Sequence, residues 1–214
     1  MKHFSELSPS AERIVDVAEV LIQELGFNGF SFEDVARQVG IRKPSIHHHF
    51  ATKVDLGLTV TQRYTHRFRE ALLRIEGRSG KAPERLSAYA ELFECAYAQN
   101  RRLCICGMLG AESDSLADTL NTEVKGFFQI NLDWLGRVMA QGQADGTLAA
   151  HAAHNNWPET LLAAMEGAML VGRGLQSGQG PRLVMARLLP ALLPGSSSSV
   201  FARTAELDGR PAPS

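Results

Sequence analysis

Apolar residues recur at helical spacing along nearly the whole of this chain. Ile14, Val17, Ala18, Leu21 and Leu25 fall at i, i+3, i+4, i+7 and i+11, which places them on one face of an α-helix. Gly26 follows where a left-handed residue commonly closes a helix. Ser31 and Asp34 have the spacing of a capping box. Val35, Ala36 and Val39 then supply a short apolar face that ends at Gly40. Four residues separate Gly40 from Ser45, a length that suits the turn of a helix-turn-helix. Pro44 fits the first turn of a third helix, where no amide partner is lost. Ile46 and Phe50, four apart, anchor that helix inward and leave Arg42, Lys43, Ser45, His47 and His48 to face outward.

The helical period continues past residue 52. Leu56, Val60, Tyr64, Phe68 and Leu72 step by four, predicting a long helix over residues 52–75 that Thr52 and Asp55 cap and Gly77 and Gly80 end. Leu86, Tyr89, Ala90, Phe93 and Tyr97 repeat the spacing of the first helix, and a helical run rich in small residues covers 103–120. Val124, Phe127, Phe128, Leu135, Val138 and Met139 mark another long amphipathic helix that stops around Gly142 to Gly146. Residues 157–176 and 181–193 form the last two. No segment reads as a strand of any length, no repeat is present, and Gly77 to Lys81 has the wrong spacing for a P-loop. The expected fold is all-α.

The stretch from Phe32 to Leu56, FEDVARQVGIRKPSIHHHFATKVDL, resembles the DNA-binding signature of the TetR family of one-component bacterial repressors. Ala36, Gly40, Ile41, Lys43, Ser45, Ile46, His48 or His49, Phe50, Lys53 and Leu56 match that signature. At the position where the family usually carries Tyr, this chain has His47. The resemblance implies about nine helices: a three-helix head over residues 8–54 and a ligand-binding and dimerisation body over 55–194. It implies that Arg42, Lys43, Pro44, Ser45, His47 and His48 meet double-stranded DNA, with His47 taking the phosphate-side role of the family Tyr and Lys53 holding a phosphate. It also implies a homodimer reading a palindromic operator, released when a small molecule binds the body.

Composition and charge adjust this picture only locally. The net charge is −1, so bulk electrostatics does not announce nucleic acid. Between Arg37 and Lys53, however, every Asp, Glu, Lys or Arg is basic, and such local bases supply phosphate partners. Consecutive helical residues point about 100° apart, so His47, His48 and His49 cannot converge on one ion. His151 and His154 lack a nearby Cys or carboxylate and read as a solvated linker. Neither metal nor cofactor is expected, and no acid, base or metal-ligand constellation marks an enzyme. No apolar run reaches the roughly 18 residues of a membrane span. The start, MKHFSELSPS, is no secretory signal, and three cysteines fit a reducing, cytoplasmic interior. Residues 195–214, with their Ser run and Pro-rich end, read as a disordered tail.

Three further groups carry chemistry. Tyr64, Tyr89, Phe93, Tyr97, Met108, Phe127, Phe128 and Trp134 are candidates to line a body cavity or simply to form its core, with Glu112 or Arg101 as a polar anchor. Ala164, Ala168 and Gly172 form a small-residue stripe at i, i+4 and i+8 that, with Leu189 and Leu192, is the candidate dimer surface. Cys104 and Cys106, preceded by Arg101 and Arg102 at a helix start, are candidates for thiols of lowered pKa, which gives an alternative repressor switched by oxidation or alkylation. A helical interaction module without DNA binding accounts for the amphipathic helices but not for Arg42 to Ser45.

Overall fold

The structure, a computed structural model, describes residues 4–78, 80–153 and 156–195. His154, residues 1–3 of the N-terminal segment, and residues 196–214 of the expected tail lie outside the described residues. Among the described residues there are nine α-helices and no strand. They are α1 (Pro9–Leu25), α2 (Phe32–Val39), α3 (Lys43–His49), α4 (Lys53–Arg78), α5 (Ala82–Tyr97), α6 (Ile105–Ala111), α7 (Asp118–Ala144), α8 (Trp157–Gly174) and α9 (Pro181–Leu188). No described helix is long and apolar enough to cross a membrane.

Local chemistry sets the first boundaries. Ser8 accepts from the Ala11 amide to start α1, and Pro9 occupies its first position. The capping box of α2 is complete: Ser31 Oγ accepts from the Asp34 amide, and the Asp34 carboxylate accepts from the Ser31 amide. Thr52 and Asp55 exchange the same pair of bonds ahead of α4, at 3.0 and 3.1 Å.

Three expectations about the helices are corrected. In α1, Leu25 is 54% exposed and Val17 only half-buried, whereas Val15 and Ile22 are fully buried. The helix packs on α2, α4 and α6 at once, so its buried face is broader than one stripe and centred elsewhere. The run over 103–120 is not one helix: α6 ends at Ala111, and Ser113–Ser115 form a 3-10 turn. Ser and Asp side chains compete for backbone hydrogen bonds and favour such breaks. The last helix stops at Leu188 and continues as a 3-10 turn, Leu189–Leu192, because Pro190 has no N–H to extend the helical ladder.

The apolar core is continuous from Ile14 and Ile46 through Leu56, Val60 and Phe68 to Phe93, Phe127 and Trp134. Long α4 joins the two ends, packing on α1 at its start and on α5 and α7 further along. Each buried side chain of this size stabilises the fold by about 1.5–3 kcal/mol.

Candidate functional site

Gly40 fixes the turn between α2 and α3. It adopts φ 76° and ψ 35°, a left-handed conformation that costs glycine little, and its amide and that of Ile41 both close onto the Ala36 carbonyl. The chain then extends through Arg42 into α3. Ile46 and Phe50 are buried and pin α3 to the head, while Arg42, Lys43, Pro44, Ser45, His47 and His48 are exposed. The His47 ring stands edge-on to Phe32 at 4.9 Å, which directs it along the exposed side. His49 is half-buried. No acid occupies the first turn of α3, and Arg37 is paired with Asp34 at 3.2 Å. The free positive charge of this surface therefore belongs to Arg42 and Lys43.

Six of the seven residues expected at the DNA surface are thus brought together; Lys53 is not with them. Its ammonium donates to the Phe30 carbonyl and lies 4.8 and 4.3 Å from the ring centroids of Phe27 and Phe30. Burial lowers its pKa, and the carboxylates of Glu112 and Asp34 act against that shift. Lys53 is engaged in holding the α1–α2 connection, through cation–π and hydrogen-bond contacts.

Glu112 acts on the same connection from the body. Its carboxylate accepts the Phe27 amide at 2.6 Å and the Asn28 amide at 3.1 Å, so it is a structural acceptor rather than a free anchor for a ligand. From α8, the Arg173 guanidinium donates to the Gln23 carbonyl at 3.0 Å and to that of Glu24, satisfying carbonyls that the end of α1 leaves unpaired. Arg102 pairs with Glu24 at 3.1 Å, and Arg63 reaches both Asp16 and Glu19. The C-terminal end of α1 is thereby gripped from the segments flanking α6 and from α8, and its middle from α4. Sequence reading missed the roles of Glu112 and Arg173 because both depend on contacts far apart in the chain.

Within the body, most candidate cavity residues pack on one another. Tyr89, Phe93, Tyr97, Phe127 and Trp134 are buried, and Met108 and Phe128 are half-buried. Tyr89 stacks on Trp134 at 5.4 Å, and Phe68 meets Phe93 and Phe127 edge-on. Tyr89 donates to Asn131 Oδ1 at 2.8 Å, while Tyr97 donates to the Ser177 carbonyl. Tyr64 is different. With Phe68 it lines a cleft of about 390 Å³ between α1, α4 and α5, whose edge includes Asp16, Glu19, Arg67 and Arg102. Arg101 is exposed.

The cysteines correct another expectation. Cys104 and Cys106 are both fully buried. Burial pushes the Cys104 thiol well above the usual range, against the opposing Gly107 amide and Tyr64 hydroxyl. The Tyr64 hydroxyl donates to Cys104 Sγ at 3.6 Å. Close by lies Glu166, which sequence reading also missed, although it is the sole charged residue between Thr160 and Arg173.

The small-residue stripe on α8 faces inward. Ala168 and Gly172 are buried and Ala164 is half-buried. A Cβ on Gly172 would sit 2.3 Å from the Tyr97 hydroxyl. Leu192 is buried and Leu189 half-buried. Gly172 lets α8 approach its own body at Tyr97, while Leu170 at 62% and Val171 at 59% on α8, and Leu175 just past its end at 73%, are exposed apolar residues, joined on α9 by Leu183 at 38%.

Comparison with known proteins gives a consistent result. The family model for bacterial regulatory proteins of the tetR family matches residues 14–59. The crystal structure of a TetR-family transcriptional regulator from Agrobacterium tumefaciens is 31% identical and has a TM-score of 0.79, covering 86% of this chain and 97% of that one. A TetR transcriptional regulator from Legionella pneumophila is 27% identical with a TM-score of 0.77, covering 87% and 99%. The HTH-type transcriptional repressor DhaR of Mycobacterium sp. (strain GP1) is 24% identical over 165 residues, 76% of this chain and 82% of its own length.

Proposed function

This chain belongs to the TetR family of bacterial transcriptional regulators, and we propose that it works as a homodimeric repressor that a small effector releases from a palindromic operator. The observation that carries this reading is the exposed face of α3, where Arg42, Lys43, Pro44, Ser45, His47 and His48 stand together with no acid in the helix's first turn. A helix presented in this way enters the major groove with its N-terminal residues toward base edges. Residues 8–54 form the DNA-reading head and 55–194 the body. The similarity to DhaR, which is named a repressor, supports repression as the mode of action, and reading DNA places the protein in the bacterial cytoplasm.

The dimer surface in this reading is formed by the exposed Leu170, Val171 and Leu175, with Leu183 of α9, in place of the buried Ala168 and Gly172. Two-fold pairing through it sets two α3 helices toward successive major grooves, about 34–36 Å apart. Burial of both Cys104 and Cys106 weighs against a thiol-switched alternative, since reactive thiols need access and a lowered pKa.

The test is a gel shift on the DNA flanking the protein's own gene. Wild type is expected to bind specifically. Arg42→Ala should lose about 1–3 kcal/mol of specific affinity if its contact is bidentate, and Lys43→Ala should flatten the salt dependence. Wild-type affinity in both variants would remove α3 from the DNA interface.

A further inference from the structure

Glu166 is half-buried, with its carboxyl end turned inward and no base beside it. Its Oε1 is fully buried and has no hydrogen-bond partner, and among the described residues its carboxyl forms no ion pair. The carboxyl presses on α6 at Gly107, where a Cβ would lie 2.3 Å from Oε2 and would have to push the carboxyl aside. The ionisable groups around it are Tyr64 from α4, Tyr89 from α5 and Cys104 just before α6, and Cys106 adjoins Cys104. None of these is a cation. Trp134, stacked on Tyr89, leaves its Nε1 buried and unpartnered as well.

A buried polar oxygen without a partner is costly, and the group that reaches this carboxyl is the Cys104 thiol, a weak donor that leaves Oε1 unpaired. The surrounding aromatic faces are electron-rich and attract cations. A lone carboxyl beside such faces, with no Lys, Arg or His to receive an anion, selects for positive charge. We propose that this cluster is the effector site and that its ligand is a small organic cation, an amine or ammonium on an apolar body, paired with Glu166. The assignment rests on the reading of the chain as an effector-released repressor.

The cleft at Tyr64 is the way in. Its volume of about 390 Å³ lies in the range of small-molecule sites, about 300–1,000 Å³. Tyr64 forms part of its wall and reaches Cys104 with its hydroxyl, so this one side chain stands between the cleft and the acid. The two guanidiniums at the edge, Arg67 and Arg102, are already engaged by Glu19 and Glu24, and offer no free base to an anion.

Burial raises Glu166 well above the usual carboxylate range, which favours its protonated form until a cation pairs with it. Entry of a cation breaks its O–H bond, sends the proton to solvent and leaves a carboxylate–ammonium pair. Binding thus releases a proton, which a purely structural acid would not do.

Three probes of nearly equal size test this on the full chain: benzylammonium, benzyl alcohol and benzoate. Benzylammonium is expected to bind, and both Glu166→Gln and replacement of the probe by benzoate should weaken binding roughly ten- to a hundredfold, the range for a charged hydrogen bond. Calorimetry of wild type in phosphate and in Tris should give heats that differ by the released proton, a readout that does not depend on the variant folding. Equal affinity for benzoate, undiminished benzylammonium binding in Glu166→Gln, equal heats in the two buffers, or no benzylammonium binding by folded wild type would each overturn the assignment. Operator gel shifts separate it from the broader reading. An operator bound by the protein and released by a different compound, without benzylammonium binding, sinks the cation site alone. Benzylammonium bound through Glu166 by a protein that ignores operator sinks the repressor alone.

Discussion

Replacing Glu112 with alanine removes two hydrogen bonds that tie the α1–α2 connection to the body. The Phe27 amide is partly buried and sits 2.6 Å from the carboxylate, whereas the Asn28 amide is exposed at 3.1 Å. Water replaces the carboxylate at Asn28 with little loss. At Phe27 a charged acceptor disappears and the amide is left poorly solvated, a cost of about 1.5–3 kcal/mol. Lys53 also loses a favourable negative neighbour; its partial exposure screens that contribution, so it adds little. For a chain of this size each kcal/mol moves Tm by about 2–4 °C, giving an expected fall of roughly 3–12 °C for Glu112→Ala. Glu112→Gln retains one carbonyl acceptor and should fall by less. Thermal unfolding followed by circular dichroism measures the shift, and hydrogen exchange at the Phe27 amide locates it. A Tm within 1 °C of wild type, together with unchanged protection of Phe27, would refute the view that Glu112 secures the head.

The other predictions are briefer. Leu170→Arg and Leu175→Arg should yield monomers of nearly wild-type stability in sedimentation, while Ala168→Trp, inside its own chain, should cost about 1–3 kcal/mol in folding; a stable Ala168→Trp monomer would restore the stripe to the interface. In the native protein Cys95 alone should react readily with a thiol reagent, because Cys104 and Cys106 are buried, and rapid native labelling of Cys104 would revive the redox switch. The Asp34 carboxyl is held below its usual range by the Ser31 hydroxyl, then by the Ser31 amide and Arg37. Its contribution is therefore present above about pH 3.9 and is lost as pH falls through the lower folded value. An NMR titration of Ser31→Ala should show the Asp34 midpoint rising toward the unfolded value, and no movement would contradict the cap.

Legibility in the sequence followed the range of the interactions. The caps at Ser31 and Thr52, the Gly40 turn and the outward face of α3 are set by residues within four positions of one another, and spacing alone reveals them. Direction fails where a helix has more than one neighbour. Ala164, Ala168 and Gly172 do form a close-approach stripe, but the helix they admit belongs to the same body, since Gly172 abuts Tyr97. Spacing cannot say which part of an apolar side meets the chain's own core. Lys53 illustrates a different gap: its motif position is unchanged, yet the rings of Phe27 and Phe30, more than twenty residues earlier, draw the ammonium inward. Cys104 looked reactive because arginines precede it, but burial outweighs their charge.

In the proposed switch, the contacts at the end of α1 offer the body a way to move the head. Glu166 and Arg173 lie seven residues apart on α8, hence on nearly the same side, about 10 Å along the axis. Glu166 presses on α6 at Gly107, and Arg173 grips the last carbonyls of α1. Glu112 follows α6 and holds the amides just beyond α1. A cation seated at Glu166 therefore acts between the two elements whose residues hold one end of α1, and α1 packs directly on α2 and α3. This route reaches α3 without passing along α4. A ligand shifts the head only by its differential affinity for the two head positions, and a coupling of about 1–3 kcal/mol changes operator affinity by 5- to 150-fold. Reciprocity then requires operator DNA to weaken the cation's binding by the same factor. If the route runs through Arg173, Arg173→Ala should leave cation affinity intact while removing its dependence on operator. Persistence of the full coupling in that variant would place the connection along α4, which joins the two ends of the core.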